Sequence, residues 1–435
     1  MRSMPESAPL RKGAAANNGR DFAEHCRKFR TFEILLRAAT AFFALVSNWS
    51  RFGSPPDETD CLALDLGYGL VDGRLIGRGL WKQGDVKMIF SSDNWAGAHP
   101  AIAESLVMHA GGYASAYGTS ELDRKVEKRF SEIFEKNVAV FFVATGTAAN
   151  SLALASANRA GGVVFCHREA HLNVDECGAP AFFSHGARLN PVDGARGKME
   201  AAKLDAEIRQ FPLENVHGGQ PMAVTLTQAT ESGTVYSLEE IEAIASITKS
   251  HQLPLHMDGA RFANALVSLG ATPAEMTWKR GVDLLSFGGT KNGCWCAEAL
   301  ILFDLSRANE MHFLRKRSAQ LFSKSRFIAA QFDAYLDGDL WLDLAHHANA
   351  MAQRLADGVT ASAESRLAWA PDANEVFVVL KRAVAARLQE RGALFYDWPV
   401  PHDLKGSLAE DEALYRLVTS FATRAEDVDR FVAGC

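Results

Sequence analysis

Two stretches hold the residues best suited to chemistry. The apolar run Leu253-Pro254-Leu255-His256-Met257 ends in Asp258-Gly259-Ala260-Arg261. The run Val282-Asp283-Leu284-Leu285-Ser286-Phe287 ends in Gly288-Gly289-Thr290-Lys291-Asn292-Gly293. Both read as short buried strands whose carboxyl ends break into Gly-rich turns. One end then presents a carboxylate and a guanidinium, the other an amine. Ligands of open α/β sheets bind at the carboxyl ends of the strands. A lysine amine there can form a Schiff base, and an aspartate from a second strand can hold a pyridine nitrogen protonated. Pyridoxal phosphate requires that pair. Singly, such a Lys reads as a solvated loop residue and such an Asp as a helix N-cap. The weight comes from what accompanies them.

The elements that must position this pair follow a βα rhythm that starts near Met88. Ser120 to Lys136 is predicted as a helix, capped by Ser120 with Asp123, with Leu122, Val126, Phe130, Ile133 and Phe134 on one face. Val138–Val143 is a predicted strand, followed by Thr145-Gly146-Thr147 and a small-residue helix from Ser151 to Arg159. Thr145-Gly146-Thr147 lies at that strand-to-helix turn, where amides and hydroxyls can cradle a phosphate. Further strands are expected at 163–166, 222–228, 253–257, 282–286 and 298–303, with a helix over Ser237–Ser250. His171 follows the strand 163–166, where a flat side chain could stack on a cofactor ring. This alternation implies an α/β fold with a mostly parallel sheet covered on both faces. Long helices over roughly 325–363, then a strand–helix–strand pattern, imply a smaller C-terminal α+β domain. The expected division is 1–87 as an N-terminal extension or translated upstream region, poorly ordered and free of site residues, 88–325 as the large domain, and 326–435 as the small one.

Bulk properties narrow the function. A chain of 435 residues, 48% hydrophobic, can bury a large core in two domains. A net charge of −6 with 23% charged residues gives no basic excess for nucleic acid. The cysteines at 26, 61, 166, 177, 294, 296 and 435 read as reduced thiols of a cytoplasmic protein. Cys294-Trp295-Cys296 lacks further ligands at zinc-like spacing, so no metal is expected. No apolar stretch reaches the ~18 residues of a membrane span, and Ala38–Val46 makes a weak signal peptide.

From Met88 onward the sequence resembles the L-threonine aldolases of the β-eliminating lyase group, pyridoxal-phosphate enzymes of the aspartate-aminotransferase fold type (fold type I). The resemblance rests on ordered motifs: Phe90-Ser91-Ser92-Asp93-Asn94, Ala116-Tyr117-Gly118, Ala144-Thr145-Gly146-Thr147-Ala148-Ala149-Asn150, His171 with Glu176, His256-Met257-Asp258-Gly259-Ala260-Arg261, Thr290-Lys291 and Arg416-Leu417-Val418-Thr419. It implies cleavage of threonine, allo-threonine or a related β-hydroxy-α-amino acid to glycine and an aldehyde. It makes Lys291 the Schiff-base lysine, Asp258 the pyridinium partner, His171 the stacking histidine, and Gly146 and Thr147 the phosphate loop. Arg261 and Arg416, with Ser92 nearby, match the groups that hold the substrate carboxylate, a task suited to a bidentate guanidinium. Lys316, in Arg315-Lys316-Arg317 at the expected start of a helix after strand 298–303, matches a lysine contributed across a subunit interface. That implies a homo-oligomer, a dimer or a dimer of dimers. Glu231, in Thr230-Glu231-Ser232-Gly233, stands where many members carry a second histidine. The base for the β-hydroxyl is therefore open among His171, Glu231 and a water held between His171 and the cofactor phosphate. Another reaction on the same fold (β-elimination or transamination), or cofactor binding without turnover, is the alternative.

Overall fold

The computed structural model describes residues 87–401 and 404–435, and the backbone of a hairpin pairing Tyr68–Val71 with Arg74–Gly77. The remainder of the expected extension lies outside the described residues. Residues 85–435 form one compact unit.

Its central sheet has seven strands: β1 (Ala139–Val143), β2 (Gly162–His167), β3 (Arg188–Val192), β4 (Gln220–Thr227), β5 (Leu255–Gly259), β6 (Leu284–Gly288) and β7 (Glu298–Leu302). Their spatial order is β1-β7-β6-β5-β4-β2-β3. Pairing is parallel throughout except for β7, which runs antiparallel to both β6 and β1. The mostly parallel sheet agrees with the sequence reading, as does burial on both faces: every residue of β2, β5, β6 and β7 is buried. β3 was not expected. Arg-Leu-Asn-Pro-Val lacks alternation, and its Pro191 is tolerated because the strand lies at the sheet edge.

Helices α1 (Glu121–Ile133), α2 (Gly146–Ser156) and α3 (Leu238–Ser250) cover the sheet. Ser120 and Ser237 form the capping boxes with Asp123 and Glu240. α2 begins five residues before the expected Ser151, because Thr145 caps it by accepting from the Ala148 amide. Its small side chains Ala148, Ala149 and Ala153 let it lie close against Phe141, Val143, Leu284 and Leu300. After β5 comes α4 (Phe262–Leu269), and after β7 comes α5 (Ala308–Arg317). Arg315-Lys316-Arg317 therefore ends a helix rather than starting one. Asp304 caps the preceding turn, and the cations sit at the negative end of the helix dipole.

Two cores result. Helix α6 (Arg326–Leu336) adds Ile328, Phe332 and Tyr335 to the core of the large sheet. The long α7 (Leu340–Ala361) gives Trp341 and Leu344 to that core, but Leu355 and Val359 to the second. Packing thus changes over within α7, some way beyond the boundary expected at 325/326. The second core lies under an antiparallel sheet of β8 (Ser365–Leu367), β9 (Glu375–Lys381), β11 (Glu412–Val418) and β10 (Tyr396–Asp397), in that spatial order. Met88 and Phe90 are buried in this C-terminal core, and Met88–Ile89 pairs with Ala393–Leu394. Among the described residues, no helix is long and apolar enough to cross a membrane.

Candidate active site

The carboxyl ends of β5 and β6 and the β1–α2 turn meet around a cavity of about 240 Å³. Its lining includes Thr145, Gly146, Thr147, His171, Glu176, Asp258, Lys291 and Glu298, with Asn94 at one side. A larger hollow of about 620 Å³, at the amino ends of β5 and β6 between Lys249, Trp278 and Arg307, gathers none of these groups.

Asp258 is the penultimate residue of β5 and is 2% exposed. One carboxylate oxygen accepts from Asn150 Nδ2 at 2.8 Å, the other from the Ala260 amide at 3.1 Å. Burial raises its pKa, and the carboxylates of Glu176 and Glu231 add to the rise. A cation placed over it would therefore be strongly favoured. Asn150, on α2, donates from the same nitrogen to Glu176 Oε1 at 2.9 Å, and that oxygen also meets His171 Nδ1 at 2.9 Å. A chain of contacts thus runs His171–Glu176–Asn150–Asp258. The Glu176 hydrogen bond holds the His171 pKa above its ordinary value, against the opposing effect of burial.

Lys291 sits on a single helical turn after β6, and both flanks of that turn are pinned. The Gly289 amide donates to Ala297 O at 3.0 Å, and Thr290 Oγ1 accepts from the Ala297 amide at 3.1 Å. On the far side, Asn292 donates to Tyr335 Oη and to Trp341 O, each at 2.8 Å. Gly288 is required where this turn passes the end of β5: a Cβ there would stand 2.5 Å from Ala260 O.

The β1–α2 turn has the chemistry of an anion cradle. The amides at the start of α2 have no intrahelical acceptor, and the helix dipole favours negative charge there. A Cβ added at Gly146 would meet nothing within 4 Å, so the space beside the turn is open. A phosphate on this turn, a ring nitrogen at Asp258 and an aldehyde at Lys291 suit the residues present.

Five expected residues, Lys291, Asp258, His171, Gly146 and Thr147, converge on the cavity. Arg261, Arg416 and Glu231 stand outside its lining, in a buried cluster of charges. Arg261 pairs bidentately with Asp93, at 2.7 Å from Nε and 3.1 Å from Nη2, and its Nη1 lies 3.2 Å from Glu375. Arg416, on β11, lies 3.4 Å from the same Glu375, with its guanidinium 4.0 Å from the centre of the Trp398 ring. Burial raises the pKa of Glu231, but the opposing charges of Lys291, Arg261, His171 and Arg416 bring it below its ordinary value. Asp93 is likewise lowered, with Arg261 and Lys291 outweighing burial. Ser92 does not reach the cavity: its hydroxyl caps the turn after it by accepting from the Asn94 amide at 3.1 Å, and it lines a separate hollow with Trp95 and Thr423. Lys316 is exposed, its amine 5.6 Å from the centre of the Tyr117 ring, and lines no part of the cavity within this chain.

Sequence reasoning gave no role to Asp93, Asn150, Glu176, Glu298 or Glu375. Three of these lie inside the quoted motifs. Glu298 and Glu375 had no local signal, because only the direction of β7 and the pairing of β9 with β11 bring them to the site.

Residues 90–383 match the family of β-eliminating lyases. A low specificity L-threonine aldolase from Pseudomonas aeruginosa is 42% identical over 309 residues, covering 71% of this chain and 88% of that protein. One from another Pseudomonas strain is 40% identical over 314 residues, covering 72% and 90%. A solved threonine aldolase from Leishmania major superposes with a TM-score of 0.74 at 28% identity, covering 79% of this chain and 97% of that one.

Proposed function

The chain belongs to the β-eliminating lyase family, and on that premise we propose that it is a pyridoxal-phosphate-dependent aldehyde-lyase of the threonine aldolase type. It has the aspartate-aminotransferase-like fold of such enzymes. Its substrate is a β-hydroxy-α-amino acid such as L-threonine or L-allo-threonine, cleaved to glycine and an aldehyde. The observation that carries this reading is the convergence of Lys291, Asp258 and the start of α2 on one cavity.

When bound, the cofactor supplies the electron sink for carbon–carbon cleavage. The rest falls to the chain. Lys291 holds the cofactor through its amine, Asp258 keeps the ring nitrogen protonated, and the His171 ring fixes the plane of the cofactor. Gly146 and Thr147 take the phosphate. Arg261 and Arg416 serve the substrate carboxylate, already aligned by Asp93 and Glu375. Holding that carboxylate orients the bond to be broken, which is a positioning effect. His171 keeps Nδ1 on Glu176, which leaves Nε2 to take the β-hydroxyl proton directly or through a water. Glu231, buried and charged beside it, is the other base candidate.

Lys316 is proposed to serve the cavity of a second copy of the chain, in a dimer or a dimer of dimers. Its place on the exposed last turn of α5 leaves it free to do so. A cytoplasmic location is proposed as well, and is supported by the free thiols of all five cysteines among the described residues.

The test is direct. Purified protein should absorb in the visible range, and borohydride should fix the cofactor on Lys291, as read by peptide mass spectrometry. L-Threonine should yield glycine and acetaldehyde with no keto acid added. Lys291→Ala should lose the attachment and the turnover while its circular dichroism is unchanged. Ammonia or a keto acid as product would move the chain to elimination or transamination, and attachment elsewhere would end the lysine assignment.

A further inference from the structure

Asn150 stands one turn into α2, so the helix that begins at the anion cradle also brings this side chain to the end of β5. Its neighbours on the helix are Ala148, Ala149, Ser151 and Ala153, and an asparagine among them weakens the helix relative to alanine. It is 2% exposed, as is Asp258, and the Glu176 side chain is fully buried. Asn150 Nδ2 donates to both carboxylates, at 2.8 Å to Asp258 and 2.9 Å to Glu176. Of the two ends of the amide, only the NH2 group can face two carboxylates, which fixes its orientation. Among the described residues Asn150 Oδ1 has no hydrogen-bond partner, so the side chain is held by its nitrogen. The charged groups around Asp258 are the carboxylates of Glu176, Glu231 and Glu298 and the cations His171 and Lys291. Burial and these acidic neighbours push Asp258 toward taking a proton. Against them it has two donors, the Ala260 amide and Asn150, and Asn150 alone also ties up one of the neighbours, Glu176.

We infer that Asn150 decides where the proton between Asp258 and the cofactor's ring nitrogen rests. By donating to Asp258 and Glu176 together, it lets two carboxylates stay charged side by side. The proton then stays on the nitrogen, and the ring keeps its positive charge. Without that donor the proton passes to a carboxylate oxygen of Asp258. The nitrogen–hydrogen bond breaks, an oxygen–hydrogen bond forms, and an ion pair becomes a neutral pair. Asn150 acts through Asp258 and is thus a positioning residue. The inference rests on Asp258 as the ring-nitrogen partner proposed above, which the wild-type spectrum tests by itself.

The probe is pyridoxal phosphate isotopically labelled at its ring nitrogen, bound to the whole protein and read by nuclear magnetic resonance at neutral pH. The wild type should show the chemical shift of a protonated pyridine. Asn150→Ala removes both hydrogen bonds from a helix that favours alanine, and should move the signal toward the unprotonated position. Adding Glu176→Gln to that variant removes the competing carboxylate and should return the signal toward the protonated one. An unprotonated ring in the wild type ends the Asp258 assignment, and the inference with it. A protonated ring that stays unmoved in Asn150→Ala, or a displaced signal that Glu176→Gln fails to restore, overturns the inference and leaves Asp258 in place. If the alanine variant fails to fold or to load, Asn150→Ser is read in the same way, because a hydroxyl has one proton for two acceptors. A residue that merely packs α2 against β5 would lower Tm or occupancy when removed, without moving the ring nitrogen between its two states.

Discussion

At the scale of single residues, the site is a set of charges each held by a second charge. His171 is the informative case, because the Glu176 hydrogen bond holds its pKa above the usual imidazole value. If neutral His171 accepts the substrate proton, activity falls as pH drops through that raised value. Glu176→Gln withdraws the carboxylate and leaves burial, which opposes the charged ring. The acid limb of kcat/KM against pH should then move to lower pH; an unmoved limb removes His171 as the base. Arg416 offers a second test. Arg416→Ala deletes a charge-assisted carboxylate contact of about 1.5–3 kcal/mol, so KM for threonine should rise by roughly 10- to 100-fold at unchanged cofactor absorbance. An unchanged KM takes Arg416 out of the substrate site.

Secondary structure explains which of these residues could be read from the sequence. Asp258, Lys291 and the Thr145–Thr147 turn were legible because strand ends and Gly-rich turns announce themselves in composition. The strands β5 and β6 nonetheless extend two residues beyond expectation. Gly259 and Gly288 look like breakers in the sequence, yet both continue the ladder where backbones pass closely. The sense of the basic triplet was misread because helix α5 has little apolar periodicity to mark its start. Glu298 and Glu375 were illegible for a different reason: each acts through strands paired across long stretches of chain. Close passage at Gly288 supplies the prediction at this scale. Gly288→Ala forces a Cβ against Ala260 O, an overpacking of about 1–3 kcal/mol. It should loosen the Lys291 turn, seen as weakened cofactor retention on dialysis and a lowered Tm. Wild-type retention and Tm would show that the two turns have room to separate.

For the whole molecule, both cores and every site residue lie within the unit 85–435. Deleting residues 1–84 should therefore leave circular dichroism, cofactor absorbance and specific activity unchanged, and an insoluble or inactive product would show that segment to be integral. The deletion should stop there, because Met88 is 1% exposed in the C-terminal core and its amide donates to Gly392 O at 3.0 Å. Cutting into Met88–Phe90 would remove part of that core along with the strand that leads to Asp93.

The reversed strand β7 also sets a timetable. β1 is an edge strand whose neighbour in the sheet is β7, so its residues Val140-Phe141-Phe142-Val143 wait unpaired until residues 298–302 have been made. Synthesis proceeds at about 5–20 residues per second, slow compared with local helix formation. During that interval the nascent chain shows an apolar strand edge to its surroundings, a template for wrong pairing. Sheet closure is a late, long-range event of the kind that slows folding. A chain halted just before residue 298 therefore holds every group that lines the cavity except Glu298, but not the strand that joins the β1–α2 turn to the rest of the sheet.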